Sequence, residues 1–198
     1  PRANGINAIS VREHDELLEA KLTNGNSHVV LAVRSGKAIR FEESKTRPMG
    51  RGASGVRGIK LANDKDEVVG MVSVNDMDAN ILVVSENGYG KRSNFEDYRV
   101  TNRGGKGVKT ISITEKTGEL VSIKTVSDLD DLMIINKSGI AIRMEIAKLR
   151  VMGRATQGVR LINLKGEDTI AAVAKVMKEE ESIEDVNDLD INDGTIIE

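Results

Sequence analysis

The sequence predicts an all-β fold built from propeller-like repeats, each a four-stranded antiparallel blade, and three observations carry that prediction. A glycine in similar surroundings recurs at Gly5, Gly55, Gly107 and Gly158, at separations of 50, 52 and 51 residues, and a fixed period of this size marks a repeat array. Within each period of about 51 residues the chain reads as four short apolar stretches punctuated by turn residues, the pattern of propeller blades. Finally, Arg47–Ile59 (RPMGRGASGVRGI), Arg99–Ile111 (RVTNRGGKGVKTI) and Arg150–Ile162 (RVMGRATQGVRLI) are copies of one basic segment, and Gly5–Ile9 keeps the end of a fainter fourth copy.

The elements follow in order. Leu17–Leu22 is an apolar stretch closed by the polar turn 23–27, and Val29–Val33 reads as a buried strand. A Ser35-Gly36 turn leads into Lys37–Phe41, whose alternation sets Ala38 and Arg40 on the face opposite Ile39, with Phe41 in the core. After the basic loop, Val56–Leu61 is expected as the next strand. The second period offers Val68–Val74, Ile81–Val84 and Gly90–Ser93, with Asn87-Gly88 predicting a type I′ hairpin in which both central residues take positive φ. The third offers Leu120–Val126, Leu132–Ile135 and Ile140–Met144, and Thr169–Val176 starts a unit that the chain does not complete. Short helical turns are expected at Phe95–Tyr98 and Ile146–Leu149, just before the basic loops.

Composition narrows the function classes. A hydrophobic content of 39% suits a folded chain, and no apolar run approaches the roughly 18 residues that span a bilayer. With no signal-peptide pattern and no cysteine, the expected location is the cytoplasm, disulfides and thiolate metal sites are excluded, and no membrane partner is expected. The only imidazoles, His14 and His28, are expected in a surface loop or at a strand edge. Residues 178–198 hold nine acids and one base, and removing them from totals of 31 and 29 leaves 22 acids against 28 bases in 1–177. Such a basic body suits a polyanion partner, and the acidic tail can compete for the same surface. The tail loses the period and is expected to be disordered, since it has too little apolar surface to offset its ordering entropy.

Aligning the repeats exposes four registers that are basic in every copy: Arg40, Arg92 and Arg143; Arg47, Arg99 and Arg150; Arg51, Arg103 and Arg154; Arg57, Lys109 and Arg160. Equivalent positions in a repeat array point the same way, so these twelve, with Lys106 beside them, are expected to form a stripe running from unit to unit. Guanidinium forks bind phosphate bidentately, and the loop glycines Gly104, Gly105 and Gly107 are expected to let backbone N–H groups approach it. Only four aromatics are present, Phe41, Tyr89, Phe95 and Tyr98, too few for a platform stacking single-stranded bases, so duplex DNA held by its backbone fits best.

Other signals fail. RGGKGVKT has no Gly-Lys pair followed by Ser or Thr, as a phosphate loop requires, and DLDINDGTIIE puts Asp193 where a calcium loop needs glycine. No nucleophile–base pair or carboxylate dyad stands out, so no catalysis, metal or cofactor is expected in this chain.

ENGYGKRSNFEDYR, GVRGIKL and VMGRATQGVRLI, on the 51-residue period, closely resemble the C-terminal domain of DNA gyrase A over residues 1 to about 177. The resemblance implies a β-pinwheel whose basic rim wraps duplex DNA, supporting negative supercoiling by an ATP-dependent topoisomerase. It also implies a dimer of gyrase A joined to gyrase B in an A2B2 holoenzyme, with ATP and magnesium used elsewhere in that assembly. The family's hallmark QRRGGKG box is matched only in its last five positions, Arg103, Gly104, Gly105, Lys106 and Gly107, with Thr101 and Asn102 replacing Gln and Arg, so this is a box-like loop of a later blade. Two alternatives stay open: the pinwheel of the topoisomerase IV paralogue, and a propeller-like protein-interaction module, which would carry apolar or aromatic anchors on its rim.

Overall fold

The computed structural model describes residues 4–177, so the acidic segment 178–198 lies outside the described residues. Eleven strands occur in chain order: β1 (His28–Val33), β2 (Lys37–Glu42), β3 (Val68–Val74), β4 (Asn80–Ser85), β5 (Tyr89–Asn94), β6 (Val108–Lys109), β7 (Leu120–Val126), β8 (Asp130–Asn136), β9 (Ala141–Glu145), β10 (Val159–Arg160) and β11 (Ile170–Met177). They form three antiparallel blades with strand orders β3-β1-β2-β6, β7-β4-β5-β10 and β11-β8-β9.

This order corrects the expected unit of four consecutive strands. Each blade is a hairpin (β1–β2, β4–β5, β8–β9) flanked on one side by the long strand that follows its basic loop. In the first two blades a fourth strand comes from the next repeat: β6 closes blade one and β10 closes blade two. The same rule explains why Leu17–Leu22 and Val56–Leu61 contain no strand. By phase neither has a described hairpin beside it, and an extended segment without a hydrogen-bonded neighbour is not a strand.

The hairpin tips also differ from expectation. Gly36, Gly88 and Gly139 take φ of 77°, 78° and 87°, whereas Asn87 is not among the positive-φ residues. Gly88 N donates to Ser85 O at 3.0 Å, as Gly36 N does to Val33 O and Gly139 N to Asn136 O. Each tip is thus a three-residue loop whose glycine follows an ordinary β-turn, so only one left-handed residue is needed.

The core lies between blades. Val30, Ala38 and Val72 of blade one pack against Ile81, Val83 and Phe95 of the second repeat. Leu82, Val84 and Val126 of blade two pack against Leu132, Ile134 and Ile146. Burying each such aliphatic side chain contributes about 1.5–3 kcal/mol, and because β4 buries both faces it binds its neighbours on either side. The 3-10 turns fall at Glu43–Lys45, Phe95–Asp97 and Ile146–Lys148, the last two where helical turns are expected.

Candidate nucleic-acid interface

The basic loops are positioned by an anchor-then-cation pattern. Tyr98 and Leu149 close their 3-10 turns and are buried between blades. The Tyr98 hydroxyl pairs with Thr110 Oγ1 at 2.5 Å, and its burial pushes the phenol pKa up to about 12. With the anchor inside, the next residue is turned outward: Arg99 and Arg150 are exposed, as is Arg47 after Thr46.

The four basic registers then separate. Arg40 and Arg92 are buried, each only 7% exposed. Arg40 Nη1 donates to Phe95 O at 3.1 Å and Tyr98 O at 3.2 Å, and its Cζ lies 3.7 Å from the Phe95 ring centroid. Arg92 Nε donates to Leu149 O, and its Nη1 pairs with Asp128. These arginines satisfy Tyr98 O and Leu149 O, at the end of the next repeat's 3-10 turn, which would otherwise be orphaned between blades, while Phe95 O also accepts from Tyr98 N. Desolvation holds the Arg40 pKa below the usual arginine range. The expectation that this register joins a surface stripe is therefore corrected for Arg40 and Arg92; Arg143 is exposed and bonds Asp131 Oδ2 at 2.7 Å.

The third register is half-buried where a preceding repeat lies beside it. Arg103 donates to Lys45 O at 3.0 Å and Arg57 O at 3.2 Å. Arg154 repeats this one period on, to Asp97 O at 3.1 Å and Lys109 O at 2.8 Å. Carbonyls orient these guanidinium groups without neutralising them. They also stack the loops: Lys60 N donates to Gly105 O at 2.8 Å, and Ser112 N to Thr156 O at 3.1 Å. Loop 47–57 therefore abuts loop 99–109, which abuts loop 150–160.

Along this stack Arg47, Arg51, Arg57, Arg99, Lys106, Lys109 and Arg150 are exposed, and their side chains form no hydrogen bond or ion pair with any described residue. Arg160 is exposed and bonds Tyr89 and Asn163. Gly105 is exposed in the loop, while Gly104 and Gly107 also serve the fold. Gly104 N is committed to Gly58 O. Gly107 has φ 69° and a Cβ there would stand 2.5 Å from Ala38 O, and a Cβ on Gly158 would overlap Gly90 O. Close approach of the preceding repeat's strand within the same blade excludes any side chain at either position.

Lys91 is a residue that the basic registers did not single out. It occupies the core phase of Ile39 and Ile142 yet is fully buried, with Nζ donating to Gly153 O at 2.7 Å and Thr156 Oγ1 at 3.2 Å. Burial, with Arg154 nearby, lowers its pKa to about 8. A lysine breaking an apolar register was the available signal. Phe41, Tyr89, Phe95 and Tyr98 are all buried, so none offers a stacking surface. His28 begins β1 edge-on to Phe95 with centroids 5.8 Å apart, and His14 lies exposed in a loop.

A family model described as "DNA gyrase C-terminal domain, beta-propeller" matches residues 28–75, 79–127 and 130–177, one match per repeat. The chain is 47% identical over 195 residues to DNA gyrase A of Staphylococcus aureus strain MRSA252, covering 97% of this chain and 22% of that one. It therefore spans about a fifth of the curated relative's length. A solved DNA gyrase A C-terminal domain superposes with a TM-score of 0.79 at 28% identity, covering 88% of this chain and 59% of that one. The C-terminal domain of DNA topoisomerase IV superposes at 0.80 with 20% identity, covering 86% and 53%, a likeness of fold.

Proposed function

The chain belongs to the DNA gyrase C-terminal domain family, and we propose that it binds and bends duplex DNA along its stacked basic loops as the non-catalytic wrapping region of a DNA gyrase A protein. The observation that carries this reading is the run of exposed cations without side-chain partners among the described residues, from Arg47 through Arg99 to Arg150. Unpaired surface cations in adjacent loops neutralise successive phosphates and release counterions, giving strong, sequence-tolerant binding. Bending a site costs on the order of 1–6 kcal/mol, so several of these contacts must act together. The half-buried Arg103 and Arg154 add charge while holding the loops in register.

In the parent enzyme this region would feed DNA to an ATP-dependent strand-passage core in a cytoplasmic A2B2 complex, giving negative supercoiling. ATP and magnesium would act in that core, and this chain would need no cofactor. The family model and the 47% identity to the S. aureus gyrase protein support gyrase over the topoisomerase IV paralogue. The unpaired cations of the loops and the burial of all four aromatics favour this reading over a protein-interaction module, although Met49, Val100 and Val151 are exposed beside those cations.

The test is duplex-DNA affinity across a salt series for residues 1–198 and 1–177. The expected slope of log K against log salt is about −0.9 per phosphate contacted, with tighter binding once the acidic segment 178–198 is removed. Absence of binding by both chains at low salt would refute the proposal.

A further inference from the structure

A cleft of about 260 Å³ opens beside the fourth basic register, where β10 meets β5. Tyr89 stands opposite Arg160 in that strand pair. Its Oη accepts hydrogen bonds from Arg160 Nη2 at 2.9 Å and Nε at 3.2 Å, while Asn163 Oδ1 accepts from Nη1 at 3.2 Å. Lys116 converges on the same ring: its Nζ lies 5.4 Å from the centroid, as does Arg160 Cζ. Asn87 Nδ2 pins the segment bearing Lys116 by donating to Glu115 O at 3.1 Å and Lys116 O at 3.4 Å.

Two cations are thus held around one phenol, and neither forms an ion pair with a described acid. Of the acids lining the cleft, Asp168 accepts from Ser138 Oγ at 2.7 Å and Asn136 Nδ2 at 2.5 Å, and Glu167 is exposed at the edge. Arg160 hydrogen bonding lowers the Tyr89 pKa, and the hydroxyl's own proton has no acceptor among the described residues. One blade earlier the same strand-pair position sets Lys37 directly opposite Lys109, again with no acid partner for either. Like charges placed opposite one another in a ladder repel, as Lys37 and Lys109 do, and in blade two Arg160 and Lys116 converge instead on Tyr89; an anion would relieve the repulsion at each place.

We infer that the cleft is a phosphate seat, in which Arg160, Lys116 and the Tyr89 hydroxyl take one phosphodiester of the bound duplex, with Lys37 and Lys109 its counterpart one blade earlier. The inference rests on the DNA-binding reading above and adds Lys37, Tyr89 and Lys116 to the surface. Tyr89 acts doubly, donating to the phosphate and orienting the guanidinium.

The test compares duplex-DNA binding by the full 1–198 chain with Lys116→Gln, Tyr89→Phe and, on the loop stack, Arg99→Gln. Lys116→Gln should weaken binding about 3- to 10-fold at low salt and flatten the salt slope by about 0.9, the loss of one phosphate contact. Tyr89→Phe keeps the charge, so it should weaken binding about 3-fold with the slope unchanged. If both bind like the parent chain while Arg99→Gln weakens binding, the seat is wrong and the DNA reading stands. If the parent chain binds no DNA but inorganic phosphate shifts the Arg160 side-chain NMR signals, the DNA reading fails. The site is then for a free anion, which also overturns the seat as stated.

Discussion

Arg92 and Arg99 stand seven residues apart in one repeat, and each recurs at the same phase in the repeats on either side. Arg92 is buried, joined to Leu149 O and Asp128, and ties blade two to the following repeat. Arg99, one residue beyond the buried Tyr98, is exposed and has no partner among the described residues. Recurrence alone therefore does not distinguish a strut from a ligand contact. The difference lies in whether buried carbonyls need donors: an inter-blade 3-10 end requires them, and a solvated loop does not.

Substitution at the two positions would break this comparison most directly. Arg92→Met leaves Leu149 O buried without its donor and should cost about 2–3 kcal/mol in urea unfolding, with DNA affinity per folded molecule little changed. Arg99→Gln should alter stability by no more than about 0.5 kcal/mol and instead weaken DNA binding. Equal stability losses would show that Arg99 is also structural, and a stable Arg92→Met would remove the strut.

The glycines sharpen the same contrast at somewhat smaller scale. Gly107→Ala combines a positive φ with overlap against Ala38 O, whereas Gly55 has φ 84° and open space around it. The expected costs are about 2 kcal/mol at Gly107 and about 1 kcal/mol at Gly55, from backbone strain with and without a clash. Equal melting shifts would mean that the strand crossing is looser than it stands here.

The last effect is pH-dependent. Lys91 has a folded pKa of about 8 against an ordinary 10.5. Between those values the unfolded chain holds a proton that the folded chain has released, so stability should rise with pH from about 8 to about 10.5 and level off above. Below about pH 8 the folded state carries the full cost of the buried ammonium. Lys91→Ile, matching Ile39 and Ile142, should remove this contribution to the slope in unfolding free energies measured across that range. An unchanged slope would mean that the ammonium is adequately solvated.

Much of the fold was legible locally. β3 and β7 occupy the ranges read from apolar pattern, 68–74 and 120–126, because a continuous apolar run between turn residues has few other solutions. Asn87-Gly88 misled because Gly88 alone supplies the left-handed residue. Val56–Leu61 misled because its pattern is that of a strand, yet no described hairpin lies beside it to pair with. In the candidate interface, Arg47, Arg99 and Arg150 were legible as exposed cations, while Lys91 and the Tyr89 cleft were hidden, since their partners lie 62 to 71 residues away in sequence.

The sequence by itself determined the period, the hairpins, the basic registers and the family, because these rest on local pattern and phase. Tertiary structure decided which arginines brace and which face solvent, and that blades one and two take their fourth strand from the next repeat. Those outcomes depend on which carbonyls become buried when blades stack, and that is set by pairing between segments a full period apart.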